Sequence, residues 1–330
     1  MTIDYSIVIP ARNEELRLPT GLRRLLSILE RDRTEIVFVD DGSNDRTFDV
    51  ASDLLSDLPH VTLVRFDNNR GKGAAVREGV LRASGSVVAF VDADMATDPK
   101  LLRELFSALQ THDIAVGSRS LAASNVHSHS IRRAFLGRAL NRLVRQSTGI
   151  RVSDTQCGFK AFRAPVARLL FAASRVEGFA FDIEVLNLSY RLGLSVAEIP
   201  VDWTDLPGGT VSLLREPFRI VKDMIRFRSS WNDAAPVHAV TISTVAATFD
   251  NGACEAVCDA LGLDSALVLL QPTGVAILLP ASTPEQRFEL RDRAEAAYPH
   301  SGVTLDEVPV SSLIARSRAL VSLPPRRFRS

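Results

Sequence analysis

The fold is decided by one stretch of the chain, Val87-Val88-Ala89-Phe90-Val91-Asp92-Ala93-Asp94. Its first five residues are apolar and rich in valine, which predicts a strand that is buried on both faces. Two aspartates, separated by one residue, follow this strand at once. In open α/β sheets, ligands bind beyond the carboxyl ends of the strands. The stretch therefore predicts a parallel sheet and indicates which edge of that sheet carries polar chemistry.

The same arrangement recurs through the first half of the chain. Short β-branched runs alternate with segments of helical periodicity, which is typical of βαβ units. We expect strands at residues 6–9, 35–39, 61–66, 87–91 and 114–117, with helices between them. This pattern predicts an α/β fold with a Rossmann-like, doubly wound, mostly parallel sheet. Polar side chains follow four of the five strands and should meet at one rim.

Composition excludes several classes of protein. The chain has 330 residues and 46% hydrophobic content, enough for a large globular domain and a smaller one. Lys+Arg and Asp+Glu each number 39, so the zero net charge gives no reason to expect nucleic-acid binding. We find no secretory signal and no apolar run of roughly 18 residues that would span a bilayer. We therefore expect a cytoplasmic protein that is not an integral membrane protein.

Cysteine usage agrees with a reducing compartment. The three cysteines, Cys157, Cys254 and Cys258, lack CxxC spacing. Cys254 and Cys258 lie one helical turn apart with no nearby residue to complete a metal site, so we expect packed core thiols.

The second part of the chain has a different pattern. Residues 232–236 interrupt both periodicities and predict a linker. We therefore divide the chain into residues 1–233, a catalytic domain that ends in a basic amphipathic helix, and residues 234–330, a small α+β domain. The order βαββαβ in the smaller domain predicts a ferredoxin-like sandwich. It contains no recognisable catalytic constellation, and its role stays open.

The pair Asp92 and Asp94 carries the strongest chemical signal. Carboxylates two residues apart at a strand end can converge on a hard divalent cation, Mg²⁺ or Mn²⁺. Such a cation can hold a diphosphate and stabilise it as a leaving group. A DxD pair taken alone is more typical of a solvated turn with helix-capping acids. Its position directly after an apolar strand favours the metal interpretation.

Two further segments lie at predicted strand ends or helix starts. Asp40 and Asp41 end a strand, where a carboxylate can bind a nucleobase or ribose and Gly42 permits close approach. This segment is also a βα turn that can cap the next helix, and both interpretations are compatible. Residues 68–73 precede a helix, so Arg70 and Lys72 can meet phosphate. The alternative there is a simple turn, and the segment lacks P-loop spacing.

Several blocks in order resemble the family 2 glycosyltransferases of GT-A fold. These blocks are Ile9-Pro10-Ala11-Arg12-Asn13-Glu14, Val39-Asp40-Asp41-Gly42-Ser43, Asn69-Arg70-Gly71-Lys72-Gly73 and Asp92-Ala93-Asp94. Further blocks resemble the dolichyl-phosphate β-glucosyltransferase and dolichol-phosphate mannose synthase branch. They are Asp154-Thr155-Gln156-Cys157-Gly158-Phe159-Lys160, Phe181-Asp182-Ile183-Glu184, and Trp203 with Pro207-Gly208-Gly209. The resemblance covers about residues 5–228.

The resemblance implies an inverting transfer of a hexose from a UDP- or GDP-sugar, such as UDP-glucose or GDP-mannose, to a polyprenyl phosphate. It implies that Asp92 and Asp94 bind the metal and that Arg119 meets the diphosphate. The residues expected to contact the nucleotide sugar are Pro10, Arg12, Glu14, Asp40, Asp41, Lys72, Asp92 and Ala93.

The resemblance leaves the identity of a base open. A phosphate acceptor is already ionised, so alignment and electrostatic stabilisation should matter more than base catalysis. If a base is used, Asp154 or Asp182 is the first candidate and Glu184 the third. The alternative for Asp182 and Glu184 is an exposed helix start that is favoured by the helix dipole. The expected catalytic residues are thus Asp154, Asp182 and Arg119.

The chain departs from many relatives, which append transmembrane helices. Two basic helices, 132–145 and 215–228, could instead lie on the inner face of a membrane, and packed helices with a solvated basic face are the alternative. Two other functions stay open: a GT-A glycosyltransferase with a soluble acceptor, and a sugar-nucleotide-binding regulator without catalysis.

Overall fold

The structure is a computed structural model, and it describes twelve ranges of the chain. These ranges are 3–127, 141–142, 144–206, 219–220, 222–223, 237–243, 251–263, 266–271, 274–280, 282–299, 301–315 and 320–323. The predicted domain boundary at 233/234 and most of both predicted basic helices lie outside these ranges.

A seven-stranded sheet forms the centre of the first part of the chain. Its strands are β1 (Tyr5–Ala11), β2 (Thr34–Asp40), β3 (Val61–Arg65), β4 (Val87–Val91), β5 (Ile114–Ser118), β7 (Phe159–Arg163) and β8 (Val196–Pro200). The order across the sheet is β3-β2-β1-β4-β7-β5-β8, and only β7 runs antiparallel to its neighbours. Two short strands, β6 (Asn125–His127) and β9 (Asp202–Thr204), pair as a separate parallel ribbon. Each of the five expected strands lies within two residues of an observed one, so the strand prediction is confirmed.

Helices cover both faces of this sheet. On one face lie α1 (Leu18–Leu26), α2 (Thr47–Leu55) and α4 (Leu102–Ala108), and their apolar residues share a core with Ile7, Ile9 and Phe38. On the other face lie α3 (Lys72–Arg82), α5 (Ala164–Ala173) and α6 (Phe181–Arg191), around Val8 and Phe90. Alternate residues of β1 thus enter opposite cores, as the two-residue period of a strand requires. The doubly wound α/β prediction is confirmed.

The last part of the chain contains a second sheet. Its elements are β10 (Val237–Ser243), α7 (Asn251–Ala260), β11 (Ala266–Gln271), β12 (Gly274–Leu279), α8 (Pro284–Ala297), β13 (Gly302–Val308), α9 (Val310–Ala315) and β14 (Leu320–Leu323). The sheet is antiparallel in the order β13-β10-β12-β11-β14. The first six elements have the predicted βαββαβ order, and β14 is an additional edge strand.

The two faces of this second sheet pack differently. Val240, Ile242 and Val268 face α7 and α8, where Cys254 and Cys258 are buried as predicted. Ala239 and Leu267, on the other face, belong to the same core as α5. The second sheet therefore closes the outer surface of the helical layer that covers the first.

Among the described residues, no helix combines the length and the apolar character needed to cross a membrane.

Candidate active site

The carboxyl ends of β1, β2 and β4 lie side by side at one rim. Ala11 pairs with Asp40 across β1 and β2, and the Asp41 N–H donates to the Ala11 carbonyl at 2.9 Å. At the end of β4, the Asp92 N–H donates to the Gly158 carbonyl at 3.1 Å. The structure thus brings the predicted segments to a single edge.

Asp40 is a fully buried carboxylate at this rim. Its Oδ1 accepts from the Ser43 N–H at 3.1 Å and also from the Ser43 hydroxyl. Its Oδ2 lies 3.3 Å from Arg65 Nε but accepts no hydrogen bond. A buried carboxylate oxygen without a hydrogen bond is unusual, and it can accept one from a ligand. Pro10 is buried beside it and Arg12 is exposed at the end of β1.

Asp41 organises the loop that leads into α3. Its carboxylate accepts from the backbone N–H groups of Arg70 at 2.7 Å and Gly71 at 3.1 Å, and from Asn69 Nδ2 at 2.5 Å. Burial raises the pKa of Asp41, and the bonds from Arg70 and Gly71 oppose that rise. Gly42 has φ +65°, and a Cβ there would lie 2.5 Å from the Asn68 backbone. These contacts place Lys72 at the first position of α3.

Lys72 forms an ion pair with Asp92. Its ammonium contacts Asp92 Oδ1, and the Asp92 side chain is 39% exposed. Burial lowers the pKa of Lys72, but Asp92 and Asp182 raise it above its ordinary value overall. Ala93 is buried, and a Cβ on Gly158 would clash with the Asp92 carboxylate. Asp92 is therefore held between the loop at Gly158 and the start of α3.

Glu14 and Asp94 share one cation. Arg17 contacts Glu14 Oε1, and Arg17 NH1 donates to Asp94 Oδ2 at 3.2 Å. Burial raises the pKa of Glu14 to about 7 against the opposing effect of Arg17, and Asp94 and Asp92 add to the rise. Glu14 Oε2 is buried without a hydrogen-bond partner. The pKa of Asp94 is also raised, mainly by burial and to a smaller extent by the neighbouring Asp92 charge. The rim thus concentrates negative charge at three carboxylates.

These carboxylates fit a divalent cation. No group of three or more His, Cys, Asp or Glu side chains in metal-binding geometry occurs among the residues that the structure describes. Mg²⁺, however, is usually bound by one or two protein carboxylates together with substrate phosphates and water. Asp92 and Asp94 supply two such carboxylates, and the neighbouring Glu14 Oε2 is buried without a hydrogen-bond partner.

Arg119 and Asp154 form a bidentate ion pair. Arg119 donates from Nε to Asp154 Oδ2 at 2.6 Å, from NH2 to Oδ1 at 3.0 Å, and from its backbone N–H to Oδ2 at 3.0 Å. Burial would raise the pKa of Asp154, but Arg119 lowers it to about 2. The guanidinium also lies 5.6 Å from the centre of the Trp203 ring. A carboxylate with so low a pKa accepts protons poorly, so this geometry favours a role in orienting Arg119 over one as a base.

Asp182 and Glu184, at the start of α6, are buried. Their exposed fractions are 4% and 0%, so the interpretation as an exposed helix start is wrong. Glu184 accepts from the backbone N–H groups of Arg175 and Val176, which fixes the preceding loop. Asp182 Oδ1 accepts from Lys160 Nζ at 2.7 Å.

Lys160 was not among the expected site residues. The available signal was a lysine within the apolar strand Phe159-Lys160-Ala161-Phe162. Because charged side chains are almost never fully buried unless paired, a lysine at such a position indicates a buried partner.

A family model described as glycosyl transferase family 2 matches residues 6–171. A protein named dolichyl-phosphate beta-glucosyltransferase from Dictyostelium discoideum is 32% identical over 242 residues, which cover 68% of this chain and 74% of that protein. One of the same name from Drosophila melanogaster is 36% identical over 228 residues, covering 64% and 70%.

Solved structures show the same fold. Glucosyl-3-phosphoglycerate synthase from Mycobacterium tuberculosis, in complex with UDP, superposes with a TM-score of 0.55 at 19% identity, covering 72% of this chain and 84% of that one. The same enzyme with Mn²⁺ and UDP-glucose, in a complex that also contains phosphoglyceric acid, gives a TM-score of 0.53 at 19% identity, covering 72% and 83%. The GT-A fold expected for the first part of the chain is confirmed.

Proposed function

The chain belongs to glycosyl transferase family 2 and is a glycosyltransferase, and from this premise we propose that it transfers glucose from UDP-glucose to a polyprenyl phosphate with inversion. The observation that supports this proposal most is the similarity to proteins named dolichyl-phosphate beta-glucosyltransferase, at 32% and 36% identity over about two thirds of the chain. We assign the catalytic domain to residues 1–233 and leave the smaller domain, 234–330, without a catalytic role.

We place the donor at the rim of the first sheet. Asp40, whose buried Oδ2 lies 3.3 Å from Arg65 Nε and accepts no hydrogen bond, would receive the nucleoside together with Pro10 and Arg12. Asp41 would act by holding the 69–71 loop, which sets Lys72 against the diphosphate. Asp92 and Asp94, separated by Ala93, would hold Mg²⁺ or Mn²⁺, with Glu14 adding negative charge nearby. When bound, the cation supplies neutralisation of the diphosphate leaving group.

The reaction itself needs little proton transfer. An oxygen of the acceptor phosphate forms a bond to the anomeric carbon as the bond from that carbon to the donor diphosphate breaks. The nucleoside diphosphate leaves with the electron pair. Because the attacking oxygen is already ionised near neutral pH, the chain has mainly to align the two phosphates and compensate their charge.

We assign that compensation to Arg119. Its guanidinium is 30% exposed and is held by Asp154, which is 2% exposed and stays ionised at neutral pH. A guanidinium fixed by a buried carboxylate is preorganised to meet phosphate oxygens. Asp154 would therefore support catalysis through Arg119, and Asp182 through the ion pair with Lys160.

The acceptor places the reaction at a membrane surface. A polyprenyl phosphate stays in the bilayer while the nucleotide sugar is water-soluble, so we propose peripheral binding at the cytoplasmic, inner face. The predicted basic helices 132–145 and 215–228 would supply that contact with anionic lipid.

The test is transfer of labelled glucose from UDP-glucose to a polyprenyl phosphate in detergent with Mn²⁺. We expect label in the organic extract and a β linkage by NMR of the anomeric proton. Label in an aqueous product with a soluble acceptor would support the alternative acceptor class. Tight UDP binding without transfer from any UDP- or GDP-sugar would support the regulator instead, and either result would refute the proposal.

A further inference from the structure

Lys160 is a lysine that the structure buries completely. Its side chain is 1% exposed, and its Nζ lies 5.4 Å from the centre of the Phe90 ring. Nζ donates to the Cys157 carbonyl and to Asp182 Oδ1, each at 2.7 Å. Both members of the Lys160–Asp182 pair are therefore withdrawn from water and bonded to each other.

Stability alone does not account for this pair. Two buried charges lose their hydration, and an apolar pair of similar volume often packs as well or better. Breaking one partner, in contrast, leaves an uncompensated charge. The pair therefore adds little net stability, and its location has to be considered instead.

That location links three segments of the donor rim. Lys160 pairs with Phe90 across β7 and β4, two residues before Asp92. Its hydrogen bond to the Cys157 carbonyl fixes the residue before Gly158. The Gly158 carbonyl in turn accepts a hydrogen bond from the Asp92 N–H. Its bond to Asp182 fixes the first turn of α6.

The start of α6 lies directly against the start of α3. A Cβ built on Gly73 would lie 2.7 Å from the Phe181 Cβ, so the two helix starts approach closely. The Asp182 carboxylate attracts the Lys72 ammonium, which is itself paired with Asp92. Charges therefore alternate along the series Lys160, Asp182, Lys72 and Asp92.

We propose that Lys160 is a positioning residue for the donor diphosphate, and this inference rests on the proposed function in placing that diphosphate beside Asp92. Lys160 neutralises and fixes Asp182, so that Asp182 attracts Lys72 without drawing it away from the rim. Without the Lys160–Asp182 pair, Lys72 loses the attraction of the Asp182 carboxylate, and the start of α6 loses its anchor. Lys160 contacts neither substrate and acts through Asp182 and the 157–158 backbone.

The test measures binding of UDP with Mn²⁺ by isothermal titration calorimetry, with GDP in parallel. In the double variant Lys160→Met/Asp182→Leu the two charges are replaced by an apolar pair. We expect a melting temperature close to that of the original chain and a Kd for UDP with Mn²⁺ at least about ten-fold higher, because a charged group has lost its positioning partner. A folded double variant with unchanged Kd would overturn the proposal.

A second variant tests the Asp182 charge alone, with Lys160 in place. Asp182→Asn keeps the shape of the side chain and removes only its charge. The proposal again requires weaker binding of UDP with Mn²⁺, and unchanged binding overturns it.

The control is a buried ion pair at the opposite end of the same sheet. Arg163 NH1 donates to Asp113 Oδ1 at 3.1 Å, just before β5 begins. Asp113→Asn should lower the melting temperature and leave the Kd unchanged. If Asp113→Asn weakens UDP binding as much as the double variant and Asp182→Asn do, general destabilisation explains the effect and the proposal fails. Binding requires no acceptor, so failure of lipid transfer would refute the proposed function without affecting this result.

Discussion

The variant Glu14→Gln should stabilise the protein at alkaline pH while weakening its site. The pKa of Glu14 is raised by burial, against Arg17, from 4.5 to about 7. A raised carboxyl pKa means that the folded state binds the proton more tightly than the unfolded state. Stability is therefore lost as pH rises from 4.5 to about 7, and glutamine at this position removes that loss.

The magnitude follows from the same two values. At about 1.36 kcal/mol per pH unit, the rise from 4.5 to about 7 corresponds to about 3 kcal/mol. The side chain is 13% exposed, so solvent screening reduces the expected gain to about 2 kcal/mol. Glutamine also loses the charge that pairs with Arg17, but Arg17 keeps its bond to Asp94.

The assay is urea denaturation of both chains between pH 4.5 and pH 8.5. We expect equal free energies of unfolding near pH 4.5 and an advantage for Glu14→Gln that grows to about 2 kcal/mol above pH 7. Calorimetry should show weaker binding of Mn²⁺ in the presence of UDP. If the stability advantage of Glu14→Gln over the original chain is no larger at pH 8 than at pH 4.5, the claim that burial raises the pKa of Glu14 is refuted.

Three further predictions concern the same edge of the sheet. Asp94→Asn should lower the rate of Mn²⁺-dependent transfer at least about a hundred-fold, because a bound metal stabilises the transition state by several kcal/mol. An unchanged rate at saturating Mn²⁺ would contradict the metal assignment. Asp154→Asn should lower the free energy of unfolding by about 2 kcal/mol at neutral pH. The reason is that the pKa of Asp154 is about 2 in the folded chain, whereas its ordinary value is 3.8. Because that pKa is lowered, the difference in urea midpoint should disappear as pH falls from 3.8 towards 2, and a constant difference would contradict the ion-pair account. Gly158→Ala should displace the Asp92 carboxylate and weaken binding of UDP with Mn²⁺ in a folded protein, whereas unchanged affinity by calorimetry would contradict the close approach at Gly158.

Five parallel strands were predictable because each is a short apolar run, and β1, β2, β4 and β5 are buried along almost their whole length. The parallel strand β8, which contains Glu198 and is only half-buried, was not predicted. Strand β7 was not predicted either, since Phe159–Arg163 contains two basic residues that are both buried. Lys160 and Arg163 are accommodated by Asp182 and Asp113, which lie 22 and 50 residues away along the chain. The local sequence does not show which distant carboxylate pairs with each of these two residues, and this antiparallel strand was missed.

The same limit applies to the candidate site. The rim could be located because the carboxyl ends of neighbouring parallel strands meet there, which places Asp40 beside Ala11. The environment of each carboxylate could not be predicted. Asp154 has its pKa lowered by Arg119, 35 residues away, and Glu14 has its pKa raised by burial. Two acids at one rim thus have opposite shifts, which only the folded contacts determine.

The second sheet was predictable in its first six elements from alternating periodicities. Strand β14 has only four residues, too few for a pattern to distinguish it from a loop.

We propose that Asp92 and Asp94 hold a divalent cation that in turn holds the donor diphosphate. A crystal structure of the chain with UDP and Mn²⁺, with data collected at the manganese absorption edge, tests it most directly. We expect one anomalous peak within about 2.3 Å of a carboxylate oxygen of both aspartates and of the UDP diphosphate. UDP bound at the rim with the manganese peak elsewhere, or with both carboxylates turned away from it, would contradict the claim.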